Sequence, residues 1–245
     1  FWAISSYADR VFDGYIGFIL GTGTNTCYEE RNFNIKKSPD ISKKEGTTII
    51  NVESGLYELF QRGEIDIEFD RGTANPGDHV FEKMISGEYQ GGLMLAVIRK
   101  AAENGLFSED TAKNVLELKK LESKQIDEFL YYPYGDNKLA NCFKCGNEAD
   151  GITLYHLIDA MVERAAKLVT VNLSAVIIKT GKGINPCAPV CITAEGSTFY
   201  KSKLFKSKLE YYTKTYLNEQ KEIYCEIVKA DNATLIGTAI AGLQN

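Results

Sequence analysis

Three short stretches carry side chains able to grip a phosphorylated or hydroxylated ligand. Residues 21–25 read Gly-Thr-Gly-Thr-Asn. Glycine exposes backbone amides to an anion, and a hydroxyl or carboxamide hydrogen-bonds a phosphate or a sugar hydroxyl. The same pentapeptide suits a plain hairpin turn, because Asn and Gly are ordinary turn residues. Glu53, followed by Ser54-Gly55, and Glu82, which follows Pro76-Gly77, add two carboxylates that accept bidentately from hydroxyls. Each has a plainer role as well: a solvated strand end for Glu53, and a complement to the dipole of a first helical turn for Glu82. Gly196-Ser197-Thr198 is small enough to admit an adenine or a phosphate at the carboxyl edge of a sheet, or is a simple strand exit. Lys201, Lys203, Lys206 and Lys208 come next, as a solvated helix face or as a draw for phosphates.

Other candidates carry less. Cys142-Phe-Lys-Cys145 and Cys187-Ala-Pro-Val-Cys191 invite a zinc reading. Cys191 lies within an apolar run, where a free cysteine behaves as a small hydrophobe, and the second spacing exceeds that of a zinc-ribbon pair. No protein-held metal is expected. His79 and His156 stand apart from any nucleophile, which leaves a Ser/His or Cys/His hydrolase unsupported.

The surrounding pattern says what must position these residues. Tyr15–Leu20 is a β-branched and aromatic run stopped by Gly21, hence a strand, with Thr26–Phe33 as its antiparallel partner. Asn32–Glu45 is polar and reads as an exposed loop, and Thr47–Val52 as a third strand. Asp66–Asp78, with Gly72 and Pro76-Gly77, reads as loop. Phe81, Met84, Ile85, Leu93, Ala96 and Val97 recur at helical spacing, predicting a helix to Asn104 capped by Gly105. Ser108 suits an N-cap for a helix through Lys120, and residues 131–150 read as irregular. From Leu154 to Ile177 apolar residues step by three and four, predicting one long buried helix ended by Gly181. Pro189–Thr193 and Ile223–Val228 read as strands, Lys206–Tyr216 as a helix, and Ala233–Leu243 as a last helix.

Bulk properties set the class. The 245 residues allow a sizeable core, and 44% hydrophobic with 25% charged residues is ordinary for a globular protein. A net charge of −5 argues against nucleic acid as a partner. No run reaches the length of a membrane span, and Asp159, Glu163, Arg164 and Lys167 break the longest apolar helix. Phe1–Ile4 is too short for a signal peptide, and six cysteines without a dense framework fit reduced thiols in the cytoplasm. Since the chain does not begin with Met, a fragment or a processed form is expected.

In order, YIGFILGTGTNTCYEE, NVESGLY, DRGTANPGDHVFEKMISGEYQGGL, CITAEGSTFYK and GTAIAGL resemble the large domain of hexokinases over nearly the whole chain, least between residues 108 and 150. The resemblance implies an α/β fold, ribonuclease-H-like as in actin-like ATPases: a mixed five-stranded sheet flanked by helices, with a large helical insertion. It implies one domain over residues 1–245, ATP with Mg2+, and a hexose converted to its 6-phosphate. Asn25, Glu53 and Glu82 match the family's sugar-binding residues. Gly21, Thr22 and Gly23 match its phosphate turn, and Gly196, Ser197 and Thr198 its nucleotide turn. Ser54 stands where many hexokinases carry Trp, and Glu195 where Asp is usual. The family's base is an aspartate in an Asn-Asp-Thr-Val stretch. That place falls at or before Phe1, and Asp9 and Asp13 are the nearest carboxylates. The small domain is expected to be missing also, so the chain is expected to be inactive alone. A non-catalytic sugar-sensing module on the same fold is the alternative.

Overall fold

Alternating buried positions define the first two strands of the sheet. The computed structural model describes residues 11–229, 235, 237–239 and 242. β1 (Gly14–Leu20) and β2 (Thr24–Arg31) form a hairpin, and β3 (Thr47–Asn51) extends it antiparallel to β2. Along β1, Ile16, Phe18 and Leu20 point into the core. β2 starts two residues earlier than expected, at Thr24, because its pairing with Leu20 closes the turn down to Gly21–Gly23.

The helices follow β3. α1 (Pro39–Ser42) is a single turn within the expected loop. α2 (Glu64–Arg71) occupies residues expected to be loop. Its apolar residues Ile65, Ile67 and Phe69 alternate like a strand, while its buried residues are Asp66 and Asp70. Arg164 explains the difference: its guanidinium donates two hydrogen bonds of 2.9 Å to Asp66. Tertiary charge pairing at Asp66, with Phe69 packed against the core, thus places this helix.

The helix expected from Phe81 to Asn104 is two, α3 (Val80–Ile85) and α4 (Gly87–Glu103), broken at the extended residue Ser86. The break frees the first amides of α4: Gly87 N–H donates to Gly21 O (2.8 Å) and Glu88 N–H to Thr22 O (3.3 Å). α5 (Glu109–Glu117) ends before Lys120, and Ser108 caps nothing with its side chain; its hydroxyl hydrogen-bonds Asp150 instead. α6 (Ser123–Tyr131) and α7 (Lys138–Cys142) complete the insertion, the latter inside the segment expected to be irregular.

α8 (Glu148–Thr180) is the expected long helix, with Asn147 as its N-cap and left-handed Gly181 at its end. β4 (Val190–Glu195) lies parallel to β1 and is buried nearly throughout, as a central strand covered on both faces must be. α9 (Ser197–Lys201), α10 (Phe205–Thr213), a π-helical turn to Gln220 and β5 (Cys225–Lys229) follow. The five strands lie in the order β3-β2-β1-β4-β5, mixed in direction. This is the ribonuclease-H-like, actin-like ATPase sheet that the order of elements implies. The helix expected at Ala233–Leu243 lies outside the continuous stretch of described residues. No helix among the described residues is long and apolar enough to cross a membrane.

Candidate functional site

The carboxyl ends of β1 and β4 lie side by side, with Ile19 paired to Glu195, so the turns that leave them meet. Thr198 Oγ1 donates to Gly21 O (2.9 Å), tying the Gly196–Thr198 turn to the Gly21–Gly23 turn. Gly196 has φ 109°, and a Cβ there would lie 2.1 Å from Leu20 O, so only glycine lets the strands end this close. Gly87 is as constrained: its Cβ would meet Thr198 Oγ1 at 2.3 Å and Gly21 O at 2.9 Å.

Beside this junction opens a cleft of about 610 Å³. Thr22, Gly87, Ser197, Thr198 and Lys201 line it, and Ser123, Asp127 and Tyr131 add a wall from α6. Ser123 at the start of α6 donates to Gly87 O (2.6 Å), and Asp127 in its middle accepts from the Lys203 amide (3.0 Å). Burial pushes the Asp127 carboxyl up, against hydrogen bonds from Lys203 and Ser202 that pull it down. Of the lysine run only Lys201 lines this cleft. Lys203 reaches Leu130 O, Lys206 pairs with Glu210, and Lys208 bridges Asp159 and Glu163.

The turn's other flank gathers Asn25, Glu53 and Glu82. Glu82 Oε2 accepts from Thr24 N–H (2.9 Å), the residue next to Asn25. A Cβ at Gly23 would lie 2.6 Å from that same oxygen, and one at Gly55 would lie 3.3 Å from Glu82 Cβ. Glycine at both positions therefore makes room for the acid. Asn25 Nδ2 donates to Asn51 Oδ1 (2.7 Å), and Asn51 Nδ2 donates in turn to Glu53. Asn25 Oδ1 accepts from Thr26 N–H (2.7 Å) and Ser54 N–H (3.3 Å), which fixes the carboxamide's orientation. Glu53 is left-handed (φ 52°, ψ 45°), as is His79 (φ 49°) just before α3. The Tyr89 phenol is pushed up by burial and then by Glu82, Glu88 and Asp78, a sign of negative charge concentrated here. Such a corner, rich in acceptors with amide donors between them, suits a neutral polyhydroxyl ligand better than an anion.

The structure thus brings Asn25, Glu53 and Glu82 together, and separately Gly21, Thr22, Gly23, Gly196, Ser197 and Thr198, with the hairpin turn as their shared wall. Asp13 lies elsewhere, at the start of β1 and so at its opposite end from the turn, accepting from Gly183 N–H (2.7 Å). Asp9 is outside the described residues. Ser54, where the family often has Trp, is buried and 3.5 Å from Thr26 Oγ1. Cys191 and Cys142 are buried thiols pushed up to about 11 by desolvation. Among the described residues no group of three or more His, Cys, Asp or Glu could hold a metal ion.

Sequence reading missed Asn51, the bridge between Asn25 and Glu53, and the α6 wall. The signal for α6 was present: Leu121, Ile126, Phe129 and Leu130 are buried, and Gln125 Oε1 accepts from Glu122 N–H (3.0 Å) in a helix-start pattern.

Residues 15–244 match the family model described as hexokinase. The chain belongs to the hexokinase family. Human Hexokinase-2 is 32% identical over 206 residues, 79% of this chain and 22% of that protein. Human Hexokinase HKDC1 is 34% identical over 179 residues, 67% of this chain and 19% of that protein. This chain thus spans about a fifth of the length of these curated relatives. Among solved structures, a Schistosoma mansoni hexokinase complexed with glucose matches with a TM-score of 0.70 at 18% identity, covering 92% of this chain and 51% of that one. A glucokinase from an Antarctic psychrotroph gives 0.53 at 15% identity, covering 97% of this chain and 61% of that one. These matches establish a hexokinase and glucokinase fold of the actin-like ATPase type.

Proposed function

We propose that this chain is the large domain of a hexokinase that moves the γ-phosphoryl group of ATP to the 6-hydroxyl of glucose or a related hexose, as the first step of sugar breakdown. The observation that carries this reading is the hairpin turn with two working faces. One face meets Thr198 at the cleft of about 610 Å³; the other meets an Asn25–Asn51–Glu53 chain and Glu82. The carboxylates and the carboxamide accept from and donate to ring hydroxyls. The amides of the turn, with the Thr22, Ser197 and Thr198 hydroxyls, receive the phosphate chain. A magnesium ion bound with the nucleotide would neutralise charge on the transferring group. The Thr22, Ser197 and Thr198 hydroxyls at the turn fit an ion carried in by the nucleotide's own phosphates.

Phosphoryl transfer also needs a base for the sugar's proton and closure against water. In this reading both come from parts of the full protein outside this chain: an aspartate preceding Phe1 and a small domain that closes over the hexose. The chain alone is then inactive. A second reading, a sugar-sensing module without turnover, draws support from Asp13 lying at the wrong end of β1. Six unpaired thiols support a reducing, cytoplasmic location.

Calorimetric titration with glucose, with and without Mg-ATP, tests the assignment. Weak glucose binding is expected, with Glu82→Gln weakening it at least tenfold; equal affinity in both proteins contradicts the role of Glu82. A coupled assay for glucose 6-phosphate should stay at background for this chain, and robust turnover would refute its inactivity.

A further inference from the structure

We propose that Lys83 and Asp70, buried beneath the sugar corner, are positioning residues that aim Glu82 at the hairpin turn; the hexose reading above gives that aim its purpose. Lys83 follows Glu82 on α3 and is 3% exposed. Its ammonium donates to Asp70 Oδ1 (2.6 Å) and to Asn75 O. The Asp70 carboxylate, on α2, also accepts from Gly77 N–H (3.1 Å) and from the Arg62 guanidinium (3.1 Å). Burial alone would raise the Asp70 carboxyl, yet hydrogen bonds from Lys83, Gly77 and Arg62 outweigh it and hold the group below its ordinary value.

These contacts clamp one segment. The stretch between α2 and α3 runs through Asn75, Pro76, left-handed Gly77 (φ 80°) and left-handed His79 (φ 49°) before the chain turns into α3. A non-glycine residue in that conformation persists only where its surroundings over-determine it. Lys83 holds the start of the segment through Asn75 O, Asp70 holds its middle through Gly77 N–H, and the ion pair joins the two. Three residues after His79, Glu82 emerges within 2.9 Å of Thr24 N–H. A buried ion pair is a poor source of stability, because apolar residues of similar volume commonly do as well; its better-attested use is to specify one arrangement. Here the arrangement specified is the α3 start that carries Glu82.

Two readouts test this on the full chain. The first is amide hydrogen exchange, which needs no ligand. Glu82→Leu, which removes the acceptor, and Lys83→Met should each lower protection at Thr24 about tenfold relative to Tyr28, further along β2. The second is a cycle in glucose affinity. Lys83→Met should weaken binding about tenfold in the wild-type background and change it little in the Glu82→Gln background, because Lys83 acts through Glu82. Asp70→Asn, which keeps the side chain's shape, should repeat both patterns and stands in should Lys83→Met fail to fold. Unchanged Thr24 protection in Lys83→Met or in Asp70→Asn, or effects on affinity that multiply in full, would overturn the proposal. Loss of Thr24 protection in a protein that binds no hexose supports the positioning role while sinking the functional reading.

Discussion

Glu82 and Glu53 flank Asn25 on walls of opposite construction. Glu82 rides a helix, is half-buried, accepts from the Thr24 amide and rests on the Lys83–Asp70 pair. Glu53 is exposed at the end of β3, held by the Asn51 carboxamide and by its own left-handed backbone. The first acid is aimed by packing before any ligand arrives. The second is aimed by a backbone conformation that costs a non-glycine residue about 1–3 kcal/mol. Preorganisation therefore differs across a single corner, and stability and binding should part company differently on each side.

The sharpest break falls on the Glu82 wall. Lys83→Met takes from the buried Asp70 its buried cation, leaving only the more exposed Arg62, and should lower unfolding stability in urea by about 3 kcal/mol. Lys167→Met, at the exposed i,i+4 pair with Glu163 within α8, should cost under about 1 kcal/mol. Similar costs for the two would erase the distinction between a buried clamp and a surface pair. Acid adds a sign. The Asp70 carboxyl is lowered from 3.8, so its contribution is present above that value and is lost as pH falls through the depressed one. The stability gap between wild type and Asp70→Asn should shrink in that window, and a gap that widens with acid would contradict the network.

Gly23→Ala separates binding from folding on the same wall. The new methyl meets only the Glu82 carboxylate, with Oε2 at 2.6 Å and Cδ at 3.3 Å, at the far end of a flexible side chain. Stability should stay within about 1 kcal/mol while glucose affinity falls about tenfold, or ~1.4 kcal/mol. Gly87→Ala is the contrast, since its methyl meets the Gly21 carbonyl and should destabilise the fold itself. The smallest effect lies on the Glu53 wall. Glu53→Gly relieves the left-handed strain and should raise stability by up to about 1 kcal/mol while weakening glucose binding. A stability loss there would show that Glu53 is held by contacts rather than by backbone strain.

The sequence made β1, β4 and α8 legible because the alternation of Ile16, Phe18 and Leu20, the largely apolar run of β4 and the three-to-four period of α8 follow burial directly. It hid α2, whose buried positions are the acids Asp66 and Asp70 and whose apolar residues alternate like a strand. It hid the break at Ser86 because the reason lies in Gly21 and Thr22, far along the chain. Within the site, Asn25, Glu53 and Glu82 stood out only through the family pattern. Asn51 looks like any polar strand end, and Lys83 like one more helix lysine, until partners from three other segments are in place.

In the proposed function Asn25, Glu53 and Glu82 share one hexose. A two-dimensional amide NMR titration of the chain with glucose tests this most directly. The Asn25 side-chain amide and the backbone amides of Thr24 and Ser54 should shift together along a single binding curve. Glucose that leaves these three signals still, or moves them along separate curves, would contradict it.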